Sequence, residues 1–165
     1  MQPNMELYLQ DSGVEFQKNI DLKKKTWIHR GGKCEFYILP NSRDQLLEVI
    51  SYLYREDIEF VILGHTSNTY ILNSCNIPVV VSTVKCRGFK VMGDRVYCEA
   101  GVGVIRLANQ MVRNGINGYE YLTDLPGTVG AAIYNNSSCK LNSISSLVIS
   151  VEVLNKDGNV VIYKH

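Results

Sequence analysis

Two stretches decide how this chain is read: Leu63-Gly64-His65-Thr66-Ser67-Asn68-Thr69, and Leu125-Pro126-Gly127-Thr128-Val129-Gly130-Ala131-Ala132. In the first, the apolar run at 59–63 has the character of a short buried strand, and Gly64 ends it. Small side chains let several backbone N–H groups converge on one point, while Thr66, Ser67 and Asn68 add side-chain donors. A phosphate or pyrophosphate needs that combination of short donors and little bulk. A tight polar turn after a strand accounts for the same residues equally well. No Lys follows the glycine and the GxGxxG spacing is missing, so the loop is neither a Walker loop nor the dinucleotide fingerprint. In the second stretch Pro126 starts a turn, and Gly127 and Gly130 let a ligand approach the backbone. Residues 128–132 open a short helix whose N-terminus favours an anion. A turn followed by a buried helix, with small residues for close packing, is the competing reading. Two such loops in one small chain point to one anionic ligand that spans both, as a dinucleotide does. The expectation is that the loops face each other and grip its two ends.

Outward from the first loop, residues 33–40 read as a strand with Cys34, Phe36 and Ile38 on one face, stopped by Pro40. Asn41 or Ser42 caps a helix, and Gln45 completes a capping box with Ser42. Leu46, Leu47, Ile50, Leu53 and Tyr54 repeat at helical spacing through about Arg55. Strand, helix and the run at 59–63 therefore make a βαβ-like unit. Residues 69–72 and 79–83 read as strands. Residues 89–92 and 95–99 flank Gly93-Asp94 as a hairpin. Val104, Leu107, Ala108, Met111 and Val112 repeat as a helix closed by Gly115. Residues 119–122 read as a strand, 123–145 as a small-residue loop around an apolar patch, and 147–154 with 160–163 as a closing hairpin about Asp157-Gly158. Residues 1–25 have mixed polarity, end in Lys23-Lys24-Lys25, and read as an approach segment without a packed element.

Composition narrows the class. The chain has 165 residues, 45% hydrophobic and 20% charged, ordinary values for one globular domain or two small lobes. Lys+Arg 17 against Asp+Glu 16 leaves a net charge of +1, so no global field recruits nucleic acid or an anionic membrane. No apolar run approaches the roughly 18 residues of a membrane span, and Met1-Gln2-Pro3-Asn4 lacks the pattern of a secretory signal. The five cysteines, Cys34, Cys75, Cys86, Cys98 and Cys139, form no CxxC pair, and only His29, His65 and His165 are available beside them. Reduced thiols in the cytoplasm, with no metal site, is the reading that follows. Cys139, in a polar loop, is the thiol to test for reactivity. Ten Tyr are scattered and make no basic-aromatic stripe for stacking bases. Trp27, beside His29 and Arg30, reads as a packing anchor ahead of a ligand platform.

The order of these blocks resembles the FAD-binding region of the UDP-N-acetylenolpyruvoylglucosamine reductases, from about Asn19 onward. The family's Thr, Gly-Gly and aromatic strand ending in Pro are matched by Thr26, Gly31-Gly32 and Phe36-Tyr37-Ile38-Leu39-Pro40. Its Leu-Gly-x-Gly-Ser-Asn loop falls on Leu63, Gly64, Ser67 and Asn68. Its Gly-Leu-Glu-Phe strand falls on Gly118-Tyr119-Glu120-Tyr121. Its Ile-Pro-Gly-Thr-Val-Gly-Gly-Ala falls on Leu125-Pro126-Gly127-Thr128-Val129-Gly130-Ala131-Ala132, and its later Asn on Asn136. The resemblance implies an α+β, two-lobed FAD-binding fold of the type shared with vanillyl-alcohol oxidase, with lobes at 1–84 and 85–165. It implies non-covalent FAD with its pyrophosphate on Gly64, His65, Thr66, Ser67, Asn68 and Thr69. The flavin side would meet Pro126, Gly127, Thr128, Gly130, Ala131, Ala132 and Asn136. It implies NADPH as reductant, the enolpyruvyl ether of a UDP-sugar as substrate, and a role in peptidoglycan precursor synthesis.

Four departures stand out. Thr66 replaces a glycine, and a β-branched residue is strained there if the position takes positive φ. Asp124 replaces a glycine beside the anion loop. Ala131 replaces a second glycine. Ser137-Ser138-Cys139-Lys140-Leu141 stands in place of Ala-Gly-Ala-Tyr-Gly. The family's catalytic arginine, glutamate and serine fall C-terminal to residue 165. The substrate domain is therefore expected to be absent, no catalytic residue is assigned, and an exposed apolar surface is expected to meet a partner chain or a second copy. The alternative to a reductase portion is a stand-alone flavin- or nucleotide-binding module without reductase activity.

Overall fold

Pro40 has no N–H to donate, so the strand before it must stop there. In the computed structural model, which describes residues 5–164, that strand is β2 (Lys33–Leu39), after α1 (Met5–Asp11) and β1 (Glu15–Asp21). Met1 to Asn4 and His165 lie outside the described residues. Helix α2 (Arg43–Arg55) follows, capped as expected: the Ser42 hydroxyl accepts from the Gln45 amide at 3.3 Å. The Gln45 side chain reaches back to the Asn41 amide at 3.1 Å. β3 (Phe60–Leu63) and β4 (Asn76–Ser82) complete a sheet of order β1-β2-β4-β3. β4 runs parallel to both β2 and β3, and β1 runs antiparallel to β2. The βαβ unit is present, with β4 inserted between its two strands.

The N-terminal segment is packed, contrary to the sequence expectation. Leu9 is fully buried and Val14 nearly so. Tyr8 stacks on Tyr52 of α2 with ring centroids 3.5 Å apart. This second partner explains why Val49 and Tyr52 are buried beside the expected stripe of α2. Lys18 pairs with Glu6, and Lys85 with Glu15, so the segment is also tied by exposed ion pairs.

Cys34 does not share a face with Phe36 and Ile38. It packs with Tyr37, Leu39, Leu63 and Val80, whereas Phe36 and Ile38 pack with Val79, Val81 and the helices. The alternation slips at Glu35, which stands opposite Asn19 between the pairs Lys18–Phe36 and Ile20–Cys34. Asn19 sits at φ 53, the left-handed conformation that a local kink in an edge strand exploits. Nor is β3 buried: Val61 is 39% and Ile62 52% exposed, because β3 is the sheet edge. Residues 69–72 form no strand. The chain must return from the C-terminal end of β3 to the N-terminal end of the parallel β4, and residues 64–75 make that crossing.

β5 (Phe89–Met92) and β6 (Arg95–Cys98) form the expected hairpin about Gly93, at φ 65. α3 (Val104–Arg113) ends before Gly115, at φ 71. Residues 119–122 are not a strand but part of a 3-10 turn, Glu120–Asp124. Then come α4 (Val129–Tyr134), the small hairpin β7 (Ser138–Cys139) and β8 (Asn142–Ser143), a 3-10 turn, and the closing hairpin β9 (Ser150–Leu154) and β10 (Val160–Lys164). A separate core cluster joins Val102, Val104, Leu107, Met111, Leu122 and Val129, all within residues 89–147.

If α1 is part of the core, Leu9→Ala removes a wholly buried side chain and lowers unfolding stability by about 2–5 kcal/mol. A urea unfolding curve measures this. An unchanged midpoint would show α1 to be dispensable.

A seam between two loops as the candidate functional site

Parallel pairing delivers the end of β3 to the edge of the second core cluster. Thr83, just after β4, donates to the Leu63 carbonyl at 3.4 Å, which holds the loop entry level with the end of the sheet. The second loop is pinned by short backbone bonds. Val104 N–H meets the Gly127 carbonyl at 3.0 Å, Val129 N–H the Val102 carbonyl at 2.8 Å, and Gly130 N–H the Ala100 carbonyl at 2.9 Å. Gly130 is therefore explained by packing: a Cβ there would lie 2.7 Å from the Ala100 Cβ.

The loops meet directly. A Cβ on Gly64 would stand 2.3 Å from the Thr128 Oγ1, so only glycine fits. The Ser67 hydroxyl donates to the Pro126 carbonyl at 3.3 Å. Gly127, at φ 121, lies against the Ser67 Oγ. This is contact along a seam, and it corrects the picture of two pockets facing each other across a gap. Thr128 is wholly buried, and its Oγ1 has no hydrogen-bond partner among the described residues. A buried hydroxyl left unpaired is unfavourable by about 1–3 kcal/mol, and such groups mark sites completed by something else. The backbone amides of His65, Ser67 and Asn68 likewise have no acceptor among the described residues. The rim of the seam thus presents uncommitted donors, the chemistry a pyrophosphate needs.

Thr66 sits at φ 57, so the strain expected of a β-branched residue is present. Its conformation is held by its hydroxyl, which donates to the His65 carbonyl at 2.8 Å and accepts the Trp27 amide at 2.8 Å. His65 points outward beside Gly103 and Arg87. Desolvation first, and the Arg87 cation second, push its pKa below the usual value, with the Gly127 backbone opposing. The imidazole is accordingly neutral at pH 7.

The other expected residues are dispersed. Asn68 is exposed and Thr69 half-buried at the loop's end. Ala131 is half-buried, and Ala132 belongs to the second core cluster. Asn136, at φ 44, lies beyond α4 and lines a hollow with Ile133, Ile144 and Val148. Asp124 shares a different hollow with Glu120, Tyr121 and Lys140. Trp27 is no packing anchor: its side chain is 65% exposed and joins no core cluster. Its backbone is the anchor, through Thr66. That contact spans 39 positions, and no local spacing announces it. Among the described residues no three His, Cys, Asp or Glu side chains gather as a metal site.

A parallel-edged sheet, a second cluster of helices and hairpins, and a seam where loops from the two meet place the chain in the α+β class. The comparisons with known proteins place it further. Residues 34–163 match the FAD binding domain family, and the chain belongs to that family. It is 32% identical over 156 residues to the UDP-N-acetylenolpyruvoylglucosamine reductase of Caldicellulosiruptor bescii, covering 94% of this chain and 50% of that protein. It is 30% identical over 139 residues to the reductase of the same name from Clostridium botulinum, covering 84% and 45%. The chain spans about half the length of these curated relatives. In fold it is similar to UDP-N-acetylenolpyruvylglucosamine reductase from Thermus caldophilus, with TM-score 0.71, 22% identity, and coverage of 92% of this chain and 52% of that one. Cholesterol oxidase from Brevibacterium sterolicum shares the fold at TM-score 0.68 and 11% identity, covering 100% and 34%.

Two substitutions at Thr66 separate strain from bonding. Thr66→Val keeps the β-branch and loses the bond to Trp27, and lowers stability by about 1–3 kcal/mol. Thr66→Gly loses the bond but relieves about 1–2 kcal/mol of left-handed strain, and stays within about 1 kcal/mol of the parent. Chemical unfolding of both variants checks the order. Glycine proving the more damaging would refute it.

Proposed function

We propose that this chain holds FAD non-covalently across the rim of the seam. In this reading it forms the FAD-binding part of an NADPH-using reductase that acts on the enolpyruvyl ether of a UDP-sugar in peptidoglycan precursor synthesis. One observation carries the reading: the two loops that match the reductase pattern meet at Gly64 and Thr128, and leave several amides at the rim with no acceptor among the described residues. The pyrophosphate lies on residues 64–69, where the amides of His65, Ser67 and Asn68 donate. Thr128, wholly buried, backs the loop from the other side of the seam. Pro126, Gly127 and Ala131 border the flavin side, and Asn136 serves its far edge. The Gly130–Ala100 bond positions that border.

Bound FAD supplies the hydride chemistry. The chain's residues bind and orient it, on a floor closed by the tight contact of Gly64 with Thr128. The neutral His65 presents a polar contact and no charge. We read residues 1–84 and 85–165 as the two lobes, since the second core cluster is drawn wholly from the latter. The UDP-sugar is bound with a further region, as the partial coverage of the relatives suggests, and the cytoplasm is the compartment where this chemistry is placed. No helix among the described residues is long and apolar enough to cross a membrane. The apolar residues exposed on the closing hairpin, Val153, Ile162 and Tyr163, suit contact with that region, a partner chain or a second copy.

The purified chain is expected to be yellow, or to titrate with added FAD at a micromolar or tighter Kd, read from flavin absorbance between about 350 and 500 nm. A colourless chain with no flavin response would remove this reading. Flavin binding without NADPH oxidation stimulated by the UDP-sugar substrate would mark a binding module.

A further inference from the structure

Trp27 is the single tryptophan of the chain, and the structure holds it out in solvent. Exposed apolar residues are common on their own, but the turn that carries this one is built with care. The Thr26 hydroxyl, itself nearly buried, donates to the Arg30 carbonyl at 2.6 Å and accepts the Arg30 amide at 3.1 Å. His29 takes the left-handed conformation at φ 52. The Gly31 amide donates to Asn73 Oδ1 at 3.2 Å. A Cβ on Gly32 would overlap the Cys75 carbonyl at 1.8 Å. The turn is thus stapled to the crossing segment at two points, Asn73 and Thr66, and the second staple is Trp27's own amide. These contacts fix the Trp27 backbone directly against the loop at 64–69 and leave its indole exposed beside it. Tyr70, 70% exposed, follows the same loop, and Lys25, His29 and Arg30 surround the turn with basic groups.

We propose that Trp27 is a stacking platform for a planar heteroaromatic ring of the bound dinucleotide. The inference rests on the FAD reading above, since it takes the phosphates to lie on residues 64–69. A ring joined to those phosphates through a sugar or sugar-alcohol spacer lies beside that loop, as the exposed indole does. The flavin and the adenine are both such rings, and the test separates them.

The full chain, Trp27→Ala and Trp27→Phe are titrated with FAD, FMN, ADP and inorganic pyrophosphate. Binding is followed by calorimetry and by flavin absorbance. Trp27→Ala is expected to weaken FAD on the order of tenfold, and Trp27→Phe to retain most of the affinity. A matching loss for FMN alone assigns the flavin ring, and for ADP alone the adenine. Pyrophosphate affinity stays unchanged, and both variants keep the parent's thermal midpoint because the ring is exposed. In the parent, bound ADP shifts the emission of the single tryptophan if adenine is the stacked ring. FAD affinity unchanged in Trp27→Ala, or pyrophosphate weakened by the same factor as FAD, would overturn the proposal. A parent chain that binds no FAD would overturn the FAD reading, and this inference with it.

Discussion

The absence of a side chain at Gly64 is the constraint on which the site depends. A methyl group there would stand 2.3 Å from the Thr128 hydroxyl oxygen, well inside van der Waals contact, and the end of β3 would be forced away from the start of α4. No left-handed backbone explains this glycine; space alone does. Because the contact joins an edge strand of the sheet to the second core cluster, it sets both how the two clusters abut and where donors from two distant stretches gather. The closeness leaves the Thr128 hydroxyl buried with no partner among the described residues.

Strain is also present beside the seam. Thr66 and His29 both occupy left-handed backbone, and the two turns that carry them are bonded to each other through Trp27 and Thr66. Local strain of about 1–3 kcal/mol persists only where the surroundings over-determine it. Here the determinants are hydrogen bonds to Thr26, Asn73 and Thr66. The loop at 64–69 and the turn that carries Trp27 are thus held in fixed relation through their backbones. Pre-organisation of this kind lowers the ordering entropy lost on binding.

Much of this was legible in the residues. Ser42 with Gln45, Pro40, Gly93 and Gly115 are local punctuation, and the elements they bound are where they were expected. The loop motifs at 63–69 and 125–132, which the structure brings into contact, were also readable. What was missed depends on distant contacts. Leu9 and Tyr8 lie in a polar-looking segment, and their burial is decided by Tyr52 of α2. Residues 69–72 have strand-like composition, but the parallel sheet needs them as a crossing. Cys34 changes face because the alternation slips at Glu35. Trp27 was read as packing from its apolarity, whereas its role follows from an amide bond to a residue far along the chain.

A double-mutant cycle at the seam tests the central claim most directly, with FAD affinity as the readout. Gly64→Ala alone should abolish or severely weaken binding. Thr128→Ala alone should weaken it modestly, by loosening the packing behind the loop. The double variant, freed of the clash between Cβ and Oγ1, should bind better than Gly64→Ala alone, a coupling of the kind contacting residues show. A double variant no better than Gly64→Ala would contradict the account, because the two loops would then not share the space the site is built on.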